Sequence, residues 1–185
     1  LALVGVNGMA LQAAAPDLRA DREVVMAAVA QNGEALQFAS EDLKAEREVV
    51  LAAVSHGGDS RTLEWVLATS VLGTAHWQPQ VVTPKTAKGG PLRFADPALR
   101  NDKQIVLAAV QRSGGALTHA SDELCGDVDV ALAAVRQTGE ALDAVSDDML
   151  SVREVVLAAV RTAPDGLQFA APALKADKEV VLTSV

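Results

Sequence analysis

Residues 32–54 read NGEALQFASEDLKAEREVVLAAV, and residues 7–29 read NGMALQAAAPDLRADREVVMAAV, which is the same pattern displaced by 25 positions. Self-similarity at a fixed period of this length is the signature of a repeat architecture. An anchor leucine recurs every 25 residues, except for one interval of 56, at Leu11, Leu36, Leu92, Leu117, Leu142 and Leu167. The chain is therefore predicted to be an array of short repeats, with one enlarged unit inside the wide interval.

The second half of each unit has the pattern of an amphipathic α-helix. In DREVVMAAVAQ, residues 21–31, the apolar side chains of Val24, Val25, Ala28 and Val29 recur at helical spacing. Asp21 is suited to cap the first turn by accepting backbone N–H groups. We expect Asn32 and Gly33 to end the helix in a left-handed conformation.

The first half of each unit predicts a shorter helix of about two turns, as in GEALQFAS at residues 33–40. Pro16, Pro97 and Pro172 follow this segment, and proline at a first helical position predicts one extra helical turn there. Neither helix can bury its apolar side chains alone, so neighbouring units must cover one another. The predicted fold is all-α, with helix-turn-helix repeats of about 25 residues stacked as an α-solenoid.

The predicted organisation has three parts and seven units in all. Residues 1–54 and 92–185 hold regular repeats, and residues 55–91 form an enlarged, irregular repeat with a loop. Residues 1–4 align with the helix interior at 26–29, and Val185 aligns with Val160 inside a helix. Both outer repeats are thus truncated, and we expect the chain to be part of a longer polypeptide.

Composition argues against several classes of function. A net charge of -8 opposes binding to nucleic-acid phosphates. No histidine has a second potential metal ligand at the spacing that a metal site requires. The sequence also lacks a phosphate-binding glycine motif. We therefore predict no catalytic residue, no cofactor and no metal. The apolar runs are too short to span a bilayer, which predicts a soluble or peripheral protein of unknown compartment, with an organelle possible.

Two single residues have structural interpretations. His119 occupies the position that holds Phe38, Phe94 and Phe169 in other units, and we expect it to be partly buried. Cys125 stands where other units carry a lysine or arginine, and we expect it to face solvent. Neither residue has a base or an orienting group that the sequence can identify, as a nucleophile would need.

The enlarged unit contains the candidate protein-binding residues. Both tryptophans of the chain, Trp65 and Trp77, lie there, with His76 and Pro79 beside the second. Exposed tryptophan is enriched at binding hot spots, so a loop around Trp77 is a candidate contact site. The alternative for Trp65 is a structural one, because it aligns with Phe38 and can fill the same core position.

Residues 36–54, LQFASEDLKAEREVVLAAV, and residues 167–182, LQFAAPALKADKEVVL, closely resemble the short helical repeats of domain-of-unknown-function family 4116. The resemblance covers nearly all of the chain outside residues 55–91. It implies a tandem helical array of a kind found in algal, protist and some bacterial proteins. It implies no catalytic residues. The Ala, Val, Asp and Arg richness is typical of a GC-rich genome, which fits an algal source.

These features favour a non-catalytic scaffold, an accessory or linker subunit that binds a larger protein assembly. One alternative is a peripheral subunit of an organellar membrane complex, such as a photosystem or respiratory complex. Another is an interaction module of a longer enzyme or effector whose catalytic part lies outside this chain. A nucleic-acid reader would need stacking residues in successive units, but Ala13, His119 and Ala144 interrupt the phenylalanine position.

Overall fold

A computed structural model describes residues 8–56 and 90–184. All regular secondary structure in these two ranges is helical, and neither range contains a β-strand. The predicted all-α class is therefore confirmed for the described part of the chain.

The predicted second helices are α-helices that follow the repeat period. Each begins at the residue after the capping position, and the five complete ones are ten residues long. They are α1 (Arg22–Gln31), α2 (Arg47–His56), α3 (Lys103–Arg112), α4 (Val128–Gln137), α5 (Arg153–Thr162) and the shorter α6 (Lys178–Thr183).

The first helix of each repeat is a 3-10 helix. These helices are η1 (Gly8–Ala13), η2 (Gly33–Phe38), η3 (Gly90–Phe94), η4 (Gly114–His119), η5 (Gly139–Asp143) and η6 (Pro164–Phe169). Each has five or six residues, which is about two turns at three residues per turn, so the expected number of turns is correct although the helix type is not α. Six repeats, each an η helix followed by an α helix, are thus described and are numbered 1 to 6.

A short turn links the two helices within every described repeat. The proline-initiated turns predicted at Pro16 and Pro172 are single α-helical turns, Pro16–Arg19 and Pro172–Lys175. The prediction is wrong at Pro97, because the helical turn there is the 3-10 helix Leu99–Asn101, which begins two residues after the proline. Asp21 caps α1 as predicted, because its carboxylate accepts the N–H groups of Glu23 and Val24 at 2.9 and 3.1 Å. Asp102, Asp127 and Asp177 cap their helices in the same way.

The predicted left-handed helix ending at Asn32 and Gly33 is wrong. Asn32 is extended, with φ −149° and ψ 108°, and its side chain accepts the N–H of Glu34 at 3.0 Å. In the described ranges only Gly90 has a positive φ, of 57°. The glycine at the start of the η helix instead provides space for close packing. At Gly139, a Cβ would lie 2.4 Å from the carbonyl oxygen of Ala159 in α5. Glycine lets η5 pack directly against the C-terminal turn of α5.

Each described repeat packs against the next one in the chain. Contacts join each α helix to the following α helix and each η helix to the following η helix. A backbone hydrogen bond crosses every one of the five junctions, from Ser40 to Arg19, Asp96 to Lys44, Ser121 to Arg100, Ser146 to Cys125 and Ala171 to Leu150, at 2.9 to 3.1 Å. Buried Leu, Val and Ala side chains form the core between the two rows of helices.

Repeats 2 and 3 are in direct contact, although residues 57–89 separate them in the sequence. The α2 and α3 helices pack together, as do η2 and η3. The outer residues of the predicted enlarged unit, 55–56 and 90–91, belong to α2 and η3. The rest of that unit lies outside the described residues, so the predicted seventh repeat stays a prediction.

Candidate binding surface

The four residues predicted to bind a partner, Trp65, His76, Trp77 and Pro79, lie outside the described residues. Their role stays a prediction. The two described positions that flank them are His56, at the end of α2, and Gly90, at the start of η3. The described repeats present two surfaces, one formed by the row of α helices and one by the row of η helices.

The N-terminal ends of the α helices are joined by ion pairs between repeats. The cation at the first position of one helix contacts the capping residue and the second residue of the next helix. Arg22 lies 2.5 Å from Glu46 and also contacts Glu48. The same pattern joins Arg47 to Asp102 and Gln104, Lys103 to Asp127 and Asp129, and Arg153 to Asp177 and Glu179. We call this set the ion-pair row.

Charge pairing in the ion-pair row shifts the pKa values of its members. Hydrogen bonds to Asp127 and Asp129 raise the pKa of Lys103. The bond from Lys103, aided by the N–H of Val130, lowers the pKa of the Asp127 carboxyl group. Arg47 acts in the same direction on the pKa of Asp102. These charges are engaged with one another between adjacent repeats, so the row contributes to repeat pairing.

The ion-pair row is interrupted at one junction, and both partners change there. Val128 replaces the cation at the start of α4, and Val152 replaces the acidic cap of α5. The second acceptor position keeps its carboxylate, Glu154, which lies 3.6 Å from Arg136 of α4. The cation and the acidic cap are thus replaced together, while the remaining acid pairs with a different cation of the preceding repeat.

The surface of the η helices differs in chemistry from repeat to repeat. The residue after each anchor leucine is exposed or partly exposed, and it is Gln12, Gln37, Arg93, Thr118, Asp143 or Gln168. The next residue is Ala13, Phe38, Phe94, His119, Ala144 or Phe169. The corresponding α-helix core positions hold Val, Ile or Ala in the five complete helices. The η surface thus varies from repeat to repeat, while the core repeats.

One distinctive group on the η surface spans repeats 2 and 3. Arg93 Nη2 lies 2.6 Å from Glu34 Oε2, and both side chains are about one quarter exposed. The Arg93 guanidinium also lies 4.5 Å from the centre of the Phe94 ring, within the range of a cation–π contact. Arg100 Nη2 donates to the Arg93 carbonyl oxygen at 3.0 Å. Sequence reasoning missed this group. The sequence did contain a signal. Arg93 is a cation at the position after the anchor leucine, where the other described repeats have a neutral or acidic residue.

His119 and Cys125 both lie in repeat 4. His119 is partly buried, as predicted. The expectation that Cys125 faces solvent is wrong: it is partly buried, and its thiol donates to the carbonyl oxygen of Leu117 at 3.6 Å. Burial, together with the nearby Asp122 carboxylate, raises the pKa of the Cys125 thiol. Cys125 occupies the position equivalent to Arg100, whose guanidinium donates to the carbonyl oxygens of Arg93 and Ala95 in repeat 3.

Across residues 8–56 and 90–184, no group of three or more His, Cys, Asp and Glu side chains is arranged to hold a metal ion. None of the helices in these ranges has the length and apolar character that crossing a membrane requires.

The family model described as Domain of unknown function (DUF4116) matches residues 1–44, 21–65, 88–122 and 102–150. No curated protein and no solved structure matches the chain. The overlapping segments follow one another in tandem and cover more than half of the sequence, including both sides of the interval between Leu36 and Leu92. The chain belongs to the DUF4116 family.

Proposed function

We propose that this protein is a non-catalytic helical-repeat scaffold, an accessory or linker subunit that binds a larger protein assembly. The observation that carries the proposal is the contrast between its constant core and its varied η surface. Stability requires the core residues to repeat, whereas nothing in the packing requires the exposed η residues to differ. A surface that changes from one repeat to the next suits recognition of a large, irregular partner.

The proposed arrangement of the repeats is an α-solenoid. Three observations support it: packing between consecutive helices, one hydrogen bond in the same register at every described junction, and ion pairs that link neighbouring α-helix N-termini. In such an array each repeat contacts mainly its neighbours, and the array presents an extended face. The row of η helices is the proposed binding face of this solenoid.

The α face is less suited to specific recognition. Its partly buried positions repeat as Leu51, Leu107, Leu132 and Leu157, with Met26 in repeat 1. Most of the carboxylates at the second position of the α helices are paired with cations of the ion-pair row. Both features serve contact between repeats, so the α face has fewer groups left for a partner.

The test is native co-purification with two matched variants. The protein would be tagged in its native host, isolated gently and sized, and co-migrating proteins would be identified by mass spectrometry. Thr118→Arg places a large cation on the exposed surface of η4, and Ser55→Arg makes the same kind of change on exposed α2. We expect a fixed set of high-mass partners that Thr118→Arg depletes and Ser55→Arg retains.

Two results would contradict the proposal. Elution of the wild-type protein alone would exclude the stable-subunit role. If Ser55→Arg depletes the partners while Thr118→Arg retains them, the binding face is formed by the α helices instead.

A further inference from the structure

Arg93 uses fewer of its hydrogen-bond donors than other arginines of the array. A guanidinium group carries five N–H donors on three nitrogens. Five described arginines each donate through two of these nitrogens, either to side chains of the next repeat or to carbonyl oxygens of their own. They are Arg19, Arg22, Arg47, Arg100 and Arg153. Arg93 donates to the described residues through Nη2 alone, and its acceptor is Glu34.

Two nitrogens of Arg93 are left without an acceptor in the described ranges. Nε is buried and unpaired. Nη1 is unpaired as well, but it is accessible to solvent, and the side chain as a whole is 26% exposed. An unpaired donor in a native structure costs free energy and requires an explanation. Nη1 is therefore a donor that a bound group can reach.

Contacts on two sides hold the Arg93 guanidinium in place. Glu34 Oε2 lies 2.6 Å from Nη2, and the centre of the Phe94 ring lies 4.5 Å from the guanidinium carbon. Arg100 donates to the carbonyl oxygens of Arg93 and Ala95, which fixes the end of η3. A side chain that is already ordered loses little conformational entropy when it binds a partner.

Arg93 is the cation of the proposed binding face. The six described η helices contain no other Lys or Arg. Two acids of η5, Glu140 and Asp143, are exposed on the same row of helices, and the chain has a net charge of -8. A carboxylate of a partner is repelled by these groups and attracted at Arg93, and charge of this kind fixes where a partner docks. Arginine is also among the residues enriched at binding hot spots.

We propose that Arg93 is the specificity-determining residue of the binding face and that its Nη1 donates to an Asp or Glu carboxylate of the partner protein. This inference rests on the scaffold function proposed above. Glu34 is then a positioning residue, because it holds Nη2 while Nη1 meets the partner. Carboxylates suit this role because hydrogen bonds between two charged groups are stronger than those between neutral ones.

Carbodiimide coupling within the native complex tests the proposal. The reagent joins an amine to a carboxylate that touches it, and it does not couple arginine. Arg93→Lys therefore places a reactive amine at this position. The tagged variant would be isolated gently with its assembly, coupled and digested, and mass spectrometry would identify what is joined to position 93. We expect an Asp or Glu of one partner protein, and coupling to Glu34 in a fraction of molecules would show that the reagent reaches the site.

Matched variants on the α helices are the controls. Arg161 is exposed at the end of α5, and Arg161→Lys should couple to no partner residue. Arg93→Ala should lower the amount of recovered partner by about tenfold or more, whereas Arg161→Ala should leave it unchanged. Circular dichroism checks that Arg93→Ala keeps its helices, and the coupling result with Arg93→Lys does not depend on that variant.

Three results would overturn the proposal while the scaffold function stands, provided that the assembly is still recovered. They are coupling of position 93 to Glu34 alone or to nothing, coupling of position 161 to the partner as strong as that of position 93, and recovery of partner that Arg93→Ala leaves unchanged. Wild-type protein that recovers no partner would overturn the scaffold function and this proposal together.

Discussion

The backbone N–H of Asp96 donates to the carbonyl oxygen of Lys44 at 3.1 Å, and these two residues are 52 positions apart in the sequence. At the other four described junctions the bonded residues are 21 apart, as Ser121 and Arg100 are. The excess of 31 residues equals the excess in the interval between Leu36 and Leu92. The register of the array is therefore continuous from repeat 2 to repeat 3.

This continuity predicts that residues 58–88 can be deleted without loss of the array. Joining Gly57 to Gly89 restores the 25-residue period, so α2 and α3 keep their contact. We expect the unfolding free energy to be unchanged or raised by roughly 1 kcal/mol, since a shorter connection costs less loop-closure entropy. Urea denaturation followed by circular dichroism measures this.

Deletion of residues 114–138, a whole regular repeat, is the control for that experiment. It should lower the urea midpoint, because one repeat and one interface are lost. If instead the 58–88 deletion is the more damaging of the two, residues 58–88 contribute to the stability of the array.

Gly139→Ala should destabilise the protein by about 1 to 3 kcal/mol, because the new Cβ would meet the Ala159 carbonyl oxygen at 2.4 Å and Ala163 Cβ at 2.5 Å. Gly126→Ala is the matched substitution, since its Cβ would approach no atom closer than 3.4 Å. Gly126→Ala should be neutral or slightly stabilising. Equal urea midpoints for the two variants would mean that the close approach of η5 to α5 is not what requires glycine.

Leu117→Ala should cost about 2 to 5 kcal/mol, because Leu117 is fully buried and its loss leaves a cavity between helices. Leu182→Ala removes the same atoms from an exposed position and should change stability by less than about 0.5 kcal/mol. Thermal unfolding compares the two. A melting temperature that Leu117→Ala leaves unmoved would mean that the anchor leucines are not the core.

Acid should weaken the array through its capping aspartates. The pKa of Asp127 is lowered in the folded state, so its ionised form stabilises the fold at every pH above the unfolded pKa of about 4. That stability is lost as the pH falls through the lower, folded-state pKa. We expect urea midpoints that change little from pH 7 to pH 5 and fall steeply below about pH 4.

Asp127→Asn should lower the midpoint at pH 7 and reduce its fall in acid, because asparagine still caps the helix but holds no charge for Lys103. The control is Asp143→Asn, which removes an exposed carboxylate that makes no ion pair with the described residues. If the urea midpoint of Asp127→Asn falls with decreasing pH as steeply as that of the wild type, groups other than Asp127 cause the acid sensitivity.

Cys125 should react slowly with iodoacetamide at neutral pH. The thiol is partly buried and its pKa is raised, so little thiolate is present to act as the nucleophile. Alkylation is followed by intact mass, which is unambiguous because the chain has one cysteine. We expect the rate to rise by about tenfold or more in concentrated urea. Equal rates with and without urea would show that the thiol is accessible in the folded protein.

Much of the local structure follows from one 25-residue pattern. The spacing of Val24, Val25, Ala28 and Val29 predicts the buried side of α1, and the position of Asp21 predicts where that helix begins. Anchor leucines such as Leu36 and Leu117 are predicted core residues and are fully buried. These features are accessible to sequence reasoning because helix period and capping depend on residues within a few positions of one another.

Other features depend on neighbours that are distant in sequence. That Gly139 supplies space rather than a left-handed turn depends on the nearby carbonyl of Ala159. The Glu34–Arg93 pair depends on which repeats lie side by side.

What the sequence by itself determined is the helical repeat, its period, its caps and its core positions, because these arise from contacts within one unit. Only the tertiary structure decided that repeat 2 lies directly against repeat 3, and that the cations opening α1, α2, α3 and α5 meet acids of the next repeat. Those outcomes depend on how whole units pack, and a periodic sequence allows the same unit to meet more than one neighbour.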